Sequence, residues 1–217
     1  MPVLVKICGI TNLEDARTAV AAGADFLGFI FVPGTPRQVT PEQAAAVIGA
    51  LRAEAKTGGK DLPRFVGVFR DAPLADILAT AGRCGLDLIQ LHGQEPPELA
   101  RELGPERVWK ALALRTPQEV EAATAWPAAA VLADSPGGGT GQSCDWALAA
   151  ALAARRRLVL AGGLTPENVA AAVREVRPWA VDVGSGVEAA KGKKDPAKVR
   201  AFVVQARCGC GDAGGML

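Results

Sequence analysis

Short apolar runs alternate along this chain with longer segments in which apolar residues recur at helical spacing. The runs are nearly continuous in apolar residues, as in residues 65–69 (Phe-Val-Gly-Val-Phe), which is typical of parallel strands covered on both faces. The pattern predicts strands at 3–8, 26–31, 64–69, 86–91, 108–114, 129–134, 158–161 and 180–183. It predicts one helix that begins near Asn12, a good N-cap residue, and others at 41–54, 73–82, 95–103, 117–126, 145–154, 166–174 and 196–207.

Eight strand–helix units indicate an α/β protein. The count favours a closed (β/α)8 barrel, the TIM barrel, over an open doubly wound sheet, which repeats the same unit. Neither a linker nor a shift in composition appears before Cys208, so residues 1–207 are predicted to form a single barrel domain. Residues 208–217, a glycine-rich end that contains Cys208 and Cys210, are predicted to be a flexible tail.

Charge and composition argue against several classes of function. The 24 Lys and Arg residues nearly balance the 23 Asp and Glu residues, so neither nucleic acid nor an anionic membrane is expected as a partner. Apolar stretches stay well short of the roughly 18 to 20 residues of a membrane helix, and residues 1–10 lack a targeting pattern, so a cytoplasmic location is expected. The 5 cysteines are an odd number in a chain too large to need disulfides, and reduced thiols are expected.

In a barrel of this kind the interior is packed, and chemistry takes place where the strands end at their C-termini. The polar residues at or beyond these ends are few, and the eight loops bring them to one mouth: Cys8, Arg37, His92, Asp134, Asp182, Ser185 and Glu188. Several have an ordinary structural alternative. Cys8 is otherwise a buried strand thiol, and Asp134 a cap of the following turn. Arg37 is otherwise a partner in a loop salt bridge, His92 a structural ring, and Asp182 a side chain that orients loop backbone.

Glycine-rich stretches follow the late strands, at 137–141, 162–163 and 184–186. Glycine lets backbone N–H groups approach an anion closely, and barrels often hold a phosphate between the loops after strands seven and eight. The sequence therefore predicts a phosphate site formed by Gly139, Gly141, Gly162, Gly163, Gly184, Ser185 and Gly186.

A series of motifs stands at the strand ends in a fixed order: Lys6-Ile7-Cys8-Gly9-Ile10-Thr11, Gly28-Phe29-Ile30-Phe31 with Thr35-Pro36-Arg37, Val66-Gly67-Val68-Phe69, Gln90-Leu91-His92-Gly93, Asp134 with Gly138-Gly139-Thr140-Gly141, residues 160–169 (Leu-Ala-Gly-Gly-Leu-Thr-Pro-Glu-Asn-Val), and residues 181–188 (Val-Asp-Val-Gly-Ser-Gly-Val-Glu). Together they resemble the phosphoribosylanthranilate isomerase family over roughly residues 3–203. Gly184 departs from the family pattern, which usually has Ser there, and the tail after residue 207 lacks a recognised counterpart.

The resemblance implies an Amadori rearrangement of a phosphosugar in tryptophan biosynthesis, without metal or cofactor, by a monomer or homodimer. It implies that Cys8 is the general base and Asp134 the general acid. It further implies that Arg37 pairs with the anthranilate carboxylate and that His92 and Asp182 contact the substrate.

Two other readings compete with this one. Sister phosphosugar barrels are the first: the histidine-pathway isomerase carries Asp at the end of strand one, and indole-glycerol-phosphate synthase typically uses Lys and Glu there. The second is a phosphate-binding barrel without catalysis, which is expected to have lost Cys8 or Asp134. The presence of both residues favours the isomerase.

Overall fold

The structure is a computed structural model that describes residues 2–58, 61–135 and 144–209. Eight parallel strands form a closed barrel in chain order, and the eighth pairs with the first. The strands are β1 (Leu4–Cys8), β2 (Phe26–Ile30), β3 (Arg64–Phe69), β4 (Leu88–Leu91), β5 (Val108–Ala113), β6 (Ala130–Asp134), β7 (Leu158–Leu160) and β8 (Ala180–Val183). This confirms the predicted (β/α)8 fold and rules out the open sheet.

Helices follow the strands around the outside of the barrel. They are α1 (Leu13–Ala22), α2 (Pro41–Gly58), α3 (Leu74–Cys84), α4 (Pro97–Leu103), α5 (Pro117–Thr124), α6 (Trp146–Ala153), α7 (Val169–Val176) and α8 (Pro196–Cys208). The predicted N-cap is present, since the side chain of Asn12 accepts a hydrogen bond from the Asp15 N–H at 2.9 Å. Helix α8 ends one residue beyond the predicted barrel domain, and residues 210–217 of the predicted tail lie outside the described residues. The domain boundary therefore stays a prediction.

Two helices begin later than predicted because a side chain near their start is held by a loop. Glu95 was expected to open α4, but its carboxylate turns back to accept hydrogen bonds from the N–H groups of Asp71 and Gly93. Asn168 precedes α7, and its amide binds the Thr165 N–H and the Gly163 carbonyl. These hydrogen bonds fix the loops after β3, β4 and β7, which all border the barrel mouth.

A small antiparallel hairpin after β8 was not predicted. It pairs β9 (Glu188–Ala190) with β10 (Lys193–Lys194). Helix α8 starts directly after it, with Asp195 as N-cap. The hairpin is too short to give a periodic signal in sequence, but it carries two charged side chains, Glu188 and Lys194, back to the mouth.

Apolar side chains fill the N-terminal half of the barrel interior, where Trp109 packs edge-on against Phe26 with 4.9 Å between ring centroids. A second apolar layer separates the strands from the helices. Side chains alternate along a strand, and the inward positions nearer the C-terminal ends of the strands include polar residues: Lys6 and Cys8 on β1, Asp182 on β8. The C-terminal half of the interior therefore contains charged and polar side chains among apolar ones. In the described part of the chain, none of the helices is long and apolar enough to cross a membrane.

Candidate active site

A cavity opens at the C-terminal mouth of the barrel. The predicted site residues that the structure describes all line it: Cys8, Arg37, His92, Asp134, Gly162, Gly163, Asp182, Gly184, Ser185 and Gly186. Gly139 and Gly141, predicted for the phosphate site, lie outside the described residues. Residues that are distant in sequence therefore meet at one site, as expected where eight loops converge.

Cys8 is the last residue of β1, and its neighbour in register on β2 is Gly28. A Cβ atom at Gly28 would lie 2.8 Å from the Cys8 sulfur and 3.1 Å from the Lys6 Nζ, so only glycine leaves room for both groups. The thiol is 8% exposed. Burial raises the pKa of Cys8, and the ammonium of Lys6 opposes that rise.

Lys6 and Asp182 are register partners on β1 and β8, and both side chains point into the barrel. The Lys6 Nζ lies 3.0 Å from Asp182 Oδ1. Asp182 was expected either to contact the substrate or to orient loop backbone. Its described partner is instead the Lys6 ammonium, and the carboxylate still lines the cavity.

Asp134 ends β6 on the other side of the mouth, and its two carboxylate oxygens have different partners. Oδ1 accepts a hydrogen bond from the Ser135 N–H at 2.7 Å, and Oδ2 lies 3.3 Å from Nε2 of His92. The other ring nitrogen of His92, Nδ1, accepts from Gln90 Nε2 at 2.9 Å. With Gln90 as the donor, a neutral His92 ring carries its hydrogen on Nε2, the nitrogen nearer to Asp134. His92 is therefore a polar member of the site rather than a ring packed in the core.

Arg37 forms a bidentate ion pair with Glu188 of the hairpin. Its Nε and Nη2 lie 2.7 Å and 2.8 Å from the two oxygens. Lys194 adds a third charge, with its Nζ 3.2 Å from Glu188 Oε1. Burial would raise the pKa of Glu188, but these two cations outweigh it and lower the pKa. The predicted alternative for Arg37, a loop salt bridge, is thus present. The Nη1 group takes no part in the pair, and the residue also lines the cavity.

Backbone forms the wall beside β7 and β8. Gly162 and Gly163 have φ values of +81° and +67°, which favour glycine. At Gly186 a Cβ atom would approach the Leu164 carbonyl oxygen to 2.0 Å, so a side chain is excluded there. Gly184 differs, because a Cβ atom would meet only the Cys8 carbonyl oxygen, at 3.9 Å. A serine at Gly184 would therefore fit.

The site contains four polar residues to which the sequence analysis gave no role: Lys6, Gln90, Glu188 and Lys194. Lys6 and Gln90 each precede a predicted site residue by two positions on the same strand, so strand alternation places them on the same face. That signal was available in the sequence. Lys194 lacked such a signal because the hairpin that positions it was not predicted. Within the described ranges, His, Cys, Asp and Glu side chains form no group of three able to hold a metal ion.

The chain is similar along nearly its whole length to known proteins of one kind. A family model described as N-(5′phosphoribosyl)anthranilate (PRA) isomerase matches residues 5–205. N-(5′-phosphoribosyl)anthranilate isomerase from Pelobacter propionicus is 51% identical over 206 residues, which cover 92% of this chain and 93% of the relative.

Solved structures agree with this similarity. Phosphoribosyl anthranilate isomerase from Thermus thermophilus has a TM-score of 0.83 and 43% identity, with coverage of 94% of this chain and 98% of that one. A crystal structure of a phosphoribosyl anthranilate isomerase in complex with reduced 1-(o-carboxyphenylamino)-1-deoxyribulose 5-phosphate has a TM-score of 0.82 and 40% identity, with the same coverage.

Proposed function

The chain belongs to the N-(5′-phosphoribosyl)anthranilate isomerase family, and we propose that it performs this isomerisation by general acid–base catalysis, with Cys8 as the base and Asp134 as the acid. The substrate is N-(5-phosphoribosyl)anthranilate and the product 1-(2-carboxyphenylamino)-1-deoxyribulose 5-phosphate, in the tryptophan pathway. The reaction is an internal redox change of the sugar, so protons move but external electrons do not.

The reaction needs two proton transfers at different atoms. Protonation of the furanose ring oxygen lets the C1–O bond break, and the anthranilate nitrogen supplies the electron pair that forms the Schiff base. Removal of the proton from C2 then gives an enolamine, which tautomerises to the ketone. A positioned acid or base accelerates each such transfer by about 10² to 10⁴.

Cys8 suits the second transfer. The thiolate is the basic form, and the residue lies at the inner end of the cavity beside a buried ammonium. Because burial raises its pKa, the Cys8 thiolate is a stronger base than an exposed one, although a smaller fraction of it is ionised at neutral pH. A strong base at low population suits the removal of a proton from carbon.

Asp134 suits the first transfer. The N–H of Ser135 donates to Oδ1 of the carboxyl group, and Nε2 of His92 lies 3.3 Å from Oδ2. Asp134 lines the cavity, so a proton that it carries can pass to an acceptor bound there. The ring oxygen of the substrate is proposed to lie there. His92 and Gln90 act as positioning residues in this arrangement.

The two ends of the substrate are anionic and are assigned to different loops of the mouth. We place the phosphate against the backbone of Gly162, Gly163 and residues 184–186, where glycine leaves N–H groups accessible. We place the anthranilate carboxylate near Arg37, whose Nη1 is outside its pair with Glu188. We place the sugar hydroxyls or the amino group of the substrate near Asp182.

The proposal rests on one observation above the others: Cys8 and Asp134, at the ends of β1 and β6, line a single cavity that also contains the glycine loops after β7 and β8. The site residues named above lie at the mouth of one barrel, and a monomer or a homodimer is proposed. A cytoplasmic location is also proposed, because the four described cysteines are free thiols.

The direct test is the change of anthranilate fluorescence when purified protein meets freshly prepared substrate, followed with the parent protein, Cys8→Ala and Asp134→Asn. We expect rapid conversion by the parent alone. Full activity in Cys8→Ala would remove this residue as the base, and an inactive parent would contradict the proposed function itself.

A further inference from the structure

Lys6 is a buried charge that the acid–base scheme above does not use. Its side chain is 0% exposed and lies inside the barrel, two residues before Cys8 on β1. An ammonium is strongly disfavoured in such a place unless anionic partners surround it. The groups next to Lys6 are therefore the ones that stabilise its charge.

Two groups surround the Lys6 ammonium. It donates a hydrogen bond to Asp182 Oδ1 at 3.0 Å, and the second group is the thiol of Cys8, two residues further along the same face of β1. Gly28, the register partner of Cys8, leaves the space that both groups share. Burial alone would lower the pKa of Lys6, but Asp182 and Cys8 outweigh it and raise the pKa, so the amine is charged at neutral pH.

We propose that Lys6 is a positioning residue for the reaction, a fixed cation whose role is to stabilise the thiolate of Cys8. Lys6 does not line the cavity, so it acts on the substrate only through the sulfur. This inference rests on the proposed function of Cys8 as the general base.

Asp182 has the opposite effect on the same thiol. Its carboxylate holds Lys6 in place but repels a second negative charge, and it raises the pKa of Cys8. The other charged group acting on the sulfur is Lys194 from β10, which favours the thiolate. Arg37 also faces Cys8, and Glu188 neutralises it through the bidentate pair. Lys6 and Asp182 are thus two opposed charges that set the ionisation of one sulfur.

The test follows the ionisation of Cys8 directly rather than through turnover. Intact protein is alkylated with iodoacetamide over a range of pH, and mass spectrometry measures the rate on the peptide that carries Cys8. The cavity gives the reagent access to this thiol. The pH at which the alkylation rate reaches half its maximum, the midpoint, reports the pKa of the Cys8 thiol.

Lys6→Met keeps the length of the side chain and removes the charge, so we expect the midpoint to move up by about one pH unit or more. Asp182→Asn is expected to move it down. Lys6→Arg, which keeps a cation, is expected to return it toward the parent value. Lys56→Met, which removes an exposed lysine from α2, is the control for net charge and is expected to leave the midpoint unchanged. A purely structural role for Lys6 does not predict opposite shifts.

An unchanged midpoint in Lys6→Met overturns the proposal. If that variant does not fold, Lys6→Met combined with Asp182→Asn is compared with Asp182→Asn alone. Both charges are then absent, and the midpoint must be higher in the double variant.

Turnover separates this inference from the proposed function. At neutral pH each unit of upward shift lowers the thiolate fraction about tenfold, and activity should fall in step and recover in alkaline buffer. If the midpoint shifts in Lys6→Met but Cys8→Ala is fully active, Cys8 is not the base, while the effect of Lys6 on its thiol stands. If Cys8→Ala is inactive but the midpoint of Lys6→Met is unchanged, Cys8 can still be the base, and the proposed role of Lys6 is wrong.

Discussion

Arg37 and Glu188, 151 positions apart in the chain, are joined by two hydrogen bonds of 2.7 Å and 2.8 Å at the barrel mouth. The pair connects the loop after β2 with the hairpin after β8. It holds the guanidinium in one orientation, with Nη1 outside the pair. A rigid guanidinium binds a carboxylate at lower entropic cost than a mobile one.

The first prediction concerns this pair. Glu188→Gln keeps the shape but removes the charge, and the KM for the substrate should rise about tenfold, equivalent to about 1.4 kcal/mol, while kcat changes less. Steady-state kinetics separate the two constants. Glu98→Gln breaks an exposed pair with Arg101 and is the matched control, for which parental kinetics are expected. A fall in kcat as large as the rise in KM for Glu188→Gln would argue against a role confined to binding.

The second prediction uses the open space at Gly184. Its φ of −115° is accessible to any residue, and the space beside it accepts a Cβ atom. Gly184→Ser should fold normally and lower KM severalfold by adding a hydroxyl donor to the phosphate site. Gly184→Asp, of nearly the same size, should raise KM at least tenfold through charge repulsion. Inorganic phosphate should protect the parent and the Ser variant, but not the Asp variant, against heat. The same KM in both variants would place the phosphate elsewhere.

The third prediction concerns stability and pH. Glu95 and Lys110 form a buried pair at 2.6 Å, and each side chain is at most 3% exposed. Burial alone would raise the pKa of Glu95, but the hydrogen bonds from Lys110 and from the Asp71 N–H outweigh it and lower the pKa. A carboxylate with a depressed pKa contributes stability above its unfolded pKa of about 4.3 and loses that contribution as the pH falls through the folded pKa.

Glu95→Gln should therefore cost about 3 kcal/mol at neutral pH, since it leaves a buried ammonium without its anion. The difference from the parent should shrink as the buffer is made acidic. Urea unfolding at neutral pH and near pH 4 measures both values. A difference that stays constant with pH would mean that packing, rather than charge, accounts for the loss.

Much of this architecture could be predicted because it depends on local patterns. Apolar runs, helical periodicity and the cap at Asn12 determine the eight units, and strand ends locate Cys8 and Asp134. The partners of these residues could not be predicted in the same way. The Lys6–Asp182 pair depends on the register by which β8 closes on β1, and the Arg37–Glu188 pair on a hairpin of a few residues. Both are set by tertiary structure, which short-range patterns do not encode.

The fourth prediction tests the acid and the base as a unit. Cys8→Ala and Asp134→Asn should each lower kcat by about 10² to 10⁴, and the double variant should lose less than the product of the two. Each residue serves one step of the same reaction, so the loss of either residue already slows the complete reaction.

The pH dependence distinguishes the two roles. The thiolate of Cys8 is the active form, so activity should rise with pH through the pKa of Cys8, which burial places above its ordinary value. The parent also needs a proton on its acid, so its activity should fall again at high pH and its profile should be bell-shaped. Asp134→Asn has no such proton to lose, and its residual activity should rise with pH and then stay level.

A ring-opened substrate analogue gives the sharpest separation, because it no longer needs protonation of the ring oxygen. Asp134→Asn should process this analogue far better than the closed sugar, whereas Cys8→Ala should fail on both, since proton removal from C2 is still required. Ser135→Ala is a suitable control, because it removes only the longer contact of the hydroxyl with Asp134 Oδ1, at 3.4 Å, and keeps the N–H bond at 2.7 Å, so it should treat the two substrates as the parent does. If Asp134→Asn is equally impaired on the open and the closed substrate, Asp134 is not the ring-opening acid. His92, 3.3 Å from it, then becomes the next candidate to test by the same pair of substrates.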